Sequence, residues 1–375
     1  MKKSNVTVIA TVLIVLHVLV FAVFVGKSKD HSKRPVAPPT TAIESPEPSA
    51  PIADFSVPEL NVPKPTKQVI PVEVVEMAPA KSRETIAVPG SRAGYLRSDR
   101  PDRRTKKVYS KLVGDPYQGA IVVDARTGKI LFEQRASTYA YPASITKLMT
   151  MLVVLEQIDA GNISLRDKVA ITKEGIFIRN SRPSQAFLDT RESGAFTVDD
   201  LLKAVMIHSA CDASQVLAIH VAGSRNAFID MMNQKARELG MNSTTYHTEH
   251  GLPPVDGSQP DISTASDIAI LSLACLRHPE TLKYTGENLA WLPLSPIRKE
   301  KFMLANRNAL ISKEPYQGCD GLKTGFHDMG GWSLTATAER NGQRVISVVL
   351  GSPDKATRNA TSRKMLDKAF EALEK

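Results

Sequence analysis

Cysteine is scarce in this chain and poorly spaced. Cys211, Cys275 and Cys319 are the only three, an odd number that leaves at least one thiol unpaired within the chain. There is no C-x-x-C pair, no H-E-x-x-H and no G-x-x-x-x-G-K-[ST], so neither metal chemistry nor a phosphate-binding loop is supported, and no metal or cofactor is expected. His208, His220, His247 and His250 are singletons without ligand spacing and read as structural or surface residues. No internal repeat is evident. The chain carries a net charge of +9, but residues 1–110 hold 17 Lys and Arg against 10 Asp and Glu, seven of those nine charges. The folded remainder therefore carries only the other two, and a nucleic-acid partner is not expected.

At 375 residues, 42% hydrophobic and 23% charged, the chain is long enough for one large domain or two smaller ones. Residues 6–25, VTVIATVLIVLHVLVFAVFV, form an apolar run able to cross a bilayer as a helix. Phe24, Val25 and Gly26 end it without the small residues of a cleavage site, so an uncleaved membrane anchor over 1–26 is expected rather than a signal sequence. Flanking lysines on both sides leave its orientation open. From Lys27 to Ser110 come 13 of the 24 prolines with no sustained period. Such a stretch cannot bury enough apolar surface to offset its ordering entropy, and reads as a disordered linker with a basic end, Arg92 to Lys107.

The folded domain is expected over 111–375, its pattern becoming regular near Tyr117. AIVVDAR and ILFEQ around TGK read as a hairpin. SITKLMTMLVVLEQI reads as a helix so apolar that it belongs in the domain centre. Thr197 with Asp200, and Ser224, open two further helices, Gly240 ends the second, and STASDIAILSLACLRH starts with the same capping chemistry. GLKTG, GWSLTATAE and RVISVVLGS return to strands, the last two joined by a turn at NGQ, and a final helix begins near Lys355. Strands at both ends with helices between predict an α+β fold, an antiparallel sheet with an inserted helical part.

Within YPASITKLMTMLVVLEQI, residues 141–158, Ser144 and Lys147 stand one helical turn apart where the chain becomes apolar. One reading is a capping serine and a lysine with its stem along the stripe and its head in water. The other is a hydroxyl whose proton the lysine takes. Ser209 follows 65 residues on, in HSACDAS at a helix end, and Lys323, Thr324 and Gly325 a further 114 on, in one strand.

These motifs, with AIVVDARTGKILFEQ, AGS, FIDMMNQKARELGM, HGLP, DISTASDIA and RVISVVLGSP in the same order, resemble the penicillin-binding D-alanyl-D-alanine carboxypeptidases of the serine β-lactamase-like superfamily. The resemblance covers about residues 117–375 and implies the penicillin-binding-protein transpeptidase-like fold. It implies a serine D,D-carboxypeptidase acting on peptidoglycan stem peptides and inhibited by β-lactams. It also implies a domain held outside the cytoplasmic membrane, in the periplasm or its equivalent, by the N-terminal helix.

The roles it implies are these. Ser144 attacks the carbonyl of the penultimate D-alanine after giving its proton to Lys147, whose burial beside a second cation, Lys323, would make it a base. Lys323 and Thr324 bind the terminal carboxylate, and Ser209 passes the proton to the leaving group. Backbone N–H groups of Ser144 and Phe326 hold the oxyanion, while Gly325 lets substrate approach the strand. Arg307 and Arg358 resemble basic positions near the family cleft, although exposed salt bridges explain them as well.

One residue departs from the pattern: Cys211 stands where the family usually has Asn. A thiol is a weaker donor and acceptor than an amide. Placed in the cleft next to Lys323, it is expected to have a depressed pKa; the alternative is a buried, inert thiol. A D,D-transpeptidase or β-lactamase of the same fold, a non-catalytic penicillin-binding scaffold and a structural envelope protein remain as alternatives.

Overall fold

The computed structural model describes residues 116–176, 184–252, 259–328 and 330–374. The expected anchor (1–26) and linker (27–110) lie outside them. Among the described residues no helix is long and apolar enough to cross a membrane.

Alternation within two apolar strands sets the layers. In β1 (Gly119–Asp124) every residue is buried, because Ala120 and Val122 face one hydrophobic cluster and Ile121 and Val123 the other. β1 forms the expected antiparallel hairpin with β2 (Ile130–Gln134). The chain then crosses into the helical part through α1 (Lys147–Asp159), buried continuously from Lys147 to Leu155. Around α1 pack α2 (Val198–Met206), α3 (Cys211–Ala222), α4 (Arg225–Glu238) and α5 (Ala265–Cys275). Their starts follow the capping chemistry of the sequence. Thr197 and Asp200 form a reciprocal box at α2, Ser224 accepts from Ala227 N at α4, and Thr264 accepts from Asp267 N at α5.

A separate hairpin, β3 (Leu289–Leu292) with β4 (Phe302–Ala305), follows α5 and a short helical turn, Glu280–Thr285. Its connecting loop is tied down by Arg298, whose Nε lies 2.9 Å from Oε1 of the buried Glu192. The chain then returns to the main sheet as β5 (Cys319–His327), β6 (Gly331–Arg340) and β7 (Gln343–Ser352). The β6–β7 turn is made by Asn341 and Gly342, both at positive φ (50° and 74°), the geometry that a tight hairpin requires. All pairings are antiparallel and the strand order is β2-β1-β7-β6-β5. The closing helix α6 (Lys355–Leu373), capped by Asp354, covers the face formed by Val122, Leu334, Ala336 and Val349. The helical part covers the opposite face. The result is the expected α+β fold, and β5 is left as an edge strand beside the start of α1.

Candidate active site

Three chain segments meet at that edge. Before α1 the chain passes through Ala143 at φ 49° and makes a tight 3-10 turn, Ala143–Thr146. Ser144 lies in this turn and caps nothing; α1 begins only at Lys147. Lys147 does not reach into water either. It is 0% exposed, and its Nζ lies 3.0 Å from Ser144 Oγ, 2.7 Å from the His250 carbonyl and 3.4 Å from Cys211 Sγ. Burial of an amine is tolerated only where its polar atoms find partners, and here all three neighbours are within reach.

Ser209 occupies the turn between α2 and α3 at φ 65°, a left-handed conformation that costs a non-glycine residue about 1–2 kcal/mol. It is held by Lys323 of β5, whose Nζ donates to Ser209 Oγ at 2.9 Å and to the Thr324 carbonyl at 3.2 Å. On the other side, the Asp212 carboxylate accepts the amides of Ala186 and Leu188, and Cys211 N donates to Ser184 O at 2.8 Å. The second motif is thus anchored from both flanks.

Close approach to the Ser144 turn, from β5 and from the segment ending at Gly251, explains two glycines. A Cβ on Gly325 would stand 2.5 Å from Pro142 O, and one on Gly251, at φ 77°, would stand 1.8 Å from Ala143 O. Both make room for the Ser144 turn. The sequence reading gave Gly325 to substrate approach; the space it leaves is taken by the chain's own backbone, although Gly325 also borders the cavity.

The cavity has a volume of about 340 Å³, and Ser144, Ser209, Cys211, Thr324, Gly325 and Phe326 border it. Phe326, 43% exposed, stacks on Trp332 of the neighbouring strand at 4.1 Å between centroids. Lys323 is 1% exposed and its Nζ is engaged by Ser209 Oγ and the Thr324 carbonyl, behind the residues that border the cavity. The cations that do border the cavity are Arg307, Lys355 and Arg358. The suggestion of exposed salt bridges for Arg358 fails: its guanidinium is buried and bonds Asn359 Oδ1 and Ser333 O. Burial pulls it down to about 10, still far above neutrality, so it stays charged. Arg307 bonds the carbonyl and ring of His208, both at 3.3 Å.

Burial, and next to it the charge of Lys147, hold Lys323 well below the usual lysine range. Burial first and Arg307 second bring His208 down to about 4, so its imidazole is neutral. His250 is likewise held well below its ordinary value by burial and then by Lys147. Its Nδ1 accepts from Leu252 N at 3.1 Å, which fits a neutral ring.

Cys211 requires a correction. The expected depressed pKa is not found: the residue is 1% exposed, and burial pushes its thiol up more strongly than Lys147 pulls it down. It forms the floor of the cavity, its S–H directed to Ser209 O at 3.9 Å.

Sequence reasoning missed three contributors. The His250 carbonyl, the Asp261 carboxylate beside Thr146 and the Asp212 anchor all act at this site. The only signal for them was their position in the HGLP, DISTASDIA and HSACDAS segments, which carried resemblance without roles.

A family profile described as D-alanyl-D-alanine carboxypeptidase matches residues 117–354. The chain is 36% identical over 257 residues to the D-alanyl-D-alanine carboxypeptidase DacF of Bacillus subtilis, covering 68% of this chain and 63% of that protein. It therefore spans less than two thirds of the length of that curated relative. Among solved structures it resembles a penicillin-binding protein of Listeria monocytogenes in its ampicillin-bound form, with TM-score 0.58 and 33% identity over 68% of this chain and 97% of the other. A Streptomyces DD-transpeptidase gives TM-score 0.62 and 26% identity over 68% and 98% of the two chains. With the profile spanning most of the folded region, the chain belongs to the D-alanyl-D-alanine carboxypeptidase family, peptidase family S11.

Proposed function

We propose that this chain is a serine D,D-carboxypeptidase that removes the terminal D-alanine of peptidoglycan stem peptides through an acyl-enzyme on Ser144, and that β-lactams acylate the same hydroxyl. The observation that carries this reading is the 3.0 Å contact between Lys147 Nζ and Ser144 Oγ at the wall of a cavity. Acting as base requires the uncharged form of the Lys147 amine, which has two N–H donors and one lone pair. With the His250 carbonyl at 2.7 Å and Cys211 Sγ at 3.4 Å as acceptors, the lone pair is left for the Ser144 proton.

Ser144 then attacks the carbonyl of the penultimate D-alanine, and the N–H groups of Ser144 and Phe326 receive the oxyanion. Because Lys323 donates to Ser209 Oγ, the Ser209 hydroxyl keeps its own proton for the departing amine, and Lys147 replaces it. Thr324 and Arg307 meet the terminal carboxylate. Water hydrolyses the acyl-enzyme. Its transfer to an amine, as a D,D-transpeptidase, is the second reading, supported by the likeness to the Streptomyces enzyme.

The apolar run 6–25 and the Pro-rich stretch after it support a tether to the cytoplasmic membrane with the domain on the extracytoplasmic side. Deleting residues 1–26 should release a soluble chain that still binds penicillin; recovery of the deletion only with membranes would contradict the tether.

The reading is tested by intact-mass analysis after incubation with benzylpenicillin and, separately, with diacetyl-Lys-D-Ala-D-Ala, with and without an added amine. One β-lactam adduct lost in Ser144→Ala and release of D-alanine are expected. An adduct that persists in Ser144→Ala would overturn the assignment of the nucleophile, and a transfer product in place of hydrolysis would select the second reading.

A further inference from the structure

Thr146 stands between Ser144 and Lys147, and its side chain is turned away from the cavity. It is 0% exposed, and its Oγ1 donates at 2.7 Å to Oδ2 of Asp261, itself 3% exposed. The same carboxylate gathers three bonds from another part of the chain. Oδ1 accepts the amides of His247 at 2.8 Å and Thr248 at 2.9 Å, and Oδ2 accepts the Thr248 hydroxyl at 3.0 Å.

Those residues open the segment that holds Lys147. Thr248 Oγ1 accepts Gly251 N at 2.7 Å, Glu249 O accepts Thr150 Oγ1 at 2.6 Å, and His250 O accepts Lys147 Nζ at 2.7 Å. Gly251 sits so close to the Ser144 turn that an added Cβ would stand 3.0 Å from Thr146 Oγ1 as well as against Ala143.

We propose that Asp261 is a positioning residue for acylation: by binding the turn that carries Ser144 and the segment whose carbonyl holds Lys147, it fixes the separation of nucleophile and base. This role rests on the functional reading above. Asp261 touches neither the reacting hydroxyl nor the lysine amine, so it acts through Thr146 on one side and through residues 247–250 on the other. Both hydroxyl protons point at one carboxylate oxygen, which leaves each threonine a defined rotamer. A misplacement of about 1 Å in such a pair lowers a rate by about 10²-fold. Burial raises the Asp261 carboxyl to about 6 in spite of these four bonds. A group held there against its desolvation has a local use, and among the described residues its side-chain partners belong to these two segments.

Substitutions separate the role from general stability. An Asn at 261 can keep its Oδ1 on the two amides and offer its N–H groups to Thr146 and Thr248, whose hydroxyls accept as well as donate. An Ala cannot. In the full chain, Asp261→Ala should cut the second-order rate of benzylpenicillin acylation by about 10²-fold. It should lower kcat on diacetyl-Lys-D-Ala-D-Ala similarly, with KM changed less than about twofold, the split expected when the interaction lost acts only on the reacting groups. Asp261→Asn should restore the rate to within about fivefold of wild type. Thr146→Val, which removes one bond from the network and nearly conserves shape, should cost about tenfold, and adding it to Asp261→Ala should cost almost nothing further, because the two residues act through one bond. Thr146→Val also carries the test should Asp261→Ala fail to fold.

Acylation of Asp261→Ala or Thr146→Val at the wild-type rate would overturn the role. So would additive losses in the double variant, or a rise in KM that matches the fall in kcat. If the wild-type chain itself is not acylated at Ser144, the functional reading falls and this role with it; normal wild-type acylation beside an unimpaired Asp261→Ala rejects the role alone.

Discussion

Cys211 Sγ lies 3.4 Å from Lys147 Nζ, so a thiol shares the contacts of the amine beside Ser144. Sulfur is a weak acceptor, and this contact holds the amine less firmly than a side-chain carbonyl would. Replacement by Asn should keep penicillin acylation and change the deacylation rate, measured by loss of the adduct with time in intact-mass spectra. The buried thiol with its raised pKa should react with iodoacetamide at least about tenfold more slowly at pH 8 than a free cysteine. Labelling at the free-thiol rate would show that the floor of the cavity opens in solution.

Lys147→Ala should lower acylation by about two to four decades, the span of a lost general base. Stopped-flow reaction with a fluorescent penicillin measures it. An unchanged rate would require another base, with Lys323, whose Nζ reaches Ser209 Oγ at 2.9 Å, the first to test.

Gly251→Ala should both unfold more easily and acylate more slowly. Its φ of 77° and the 1.8 Å approach to Ala143 O together should cost at least about 2 kcal/mol in urea titration. The displaced Ser144 turn should show as slower acylation in the fraction still folded. Wild-type values on both axes would mean that the segment shifts freely away from the turn.

The pH dependence of stability has two opposing sources. His208 is held down to about 4 by burial and Arg307. Its contribution is present above about 6.5, the value of a free imidazole, and is lost as pH falls toward 4. Asp261, raised to about 6 from 3.8, acts in the opposite sense: its contribution is full below 3.8 and is lost as pH rises through 6. His208→Gln should therefore reduce the loss of Tm between pH 7 and pH 5, as read by thermal scans, and Asp261→Asn should enlarge it. Parallel Tm curves for His208→Gln and wild type would remove His208 from the account.

Local pattern revealed most of the frame. The capping residues Thr197, Ser224 and Thr264, the alternation in β1 and the apolar run of α1 are consequences of neighbours within a few positions, and sequence spacing reports them directly. The site was legible only as an order of motifs. That Lys147 is wholly buried, that Lys323 stands behind Ser209, and that Thr146 meets Asp261 across 115 residues depend on how the helical part closes on the sheet edge. The left-handed turns at Ala143 and Ser209 were equally hidden, because neither residue type announces a positive φ. Arg358 looked like a surface cation because its burial comes from the contact of α6 with β6, far from it in the chain.

The pairing of β1 with β7 has a kinetic meaning. Ile121 faces Val348 in that ladder, so the first strand of the domain finds its inner neighbour only when nearly the whole chain is available. Closing a loop of that length must precede any of the contacts that reward it, which makes assembly slow. Ser144 is brought to Lys323 by the same closure, because the two stand on opposite sides of the inserted helices. During synthesis the chain carries Ser144 and Lys147, the proposed nucleophile and base, long before it carries the strand that completes their site. It should stay inert toward acyl donors until β5 to β7 have emerged and seated, and a chain stopped before β7 should display the unpaired edge of β1 in place of an enzyme.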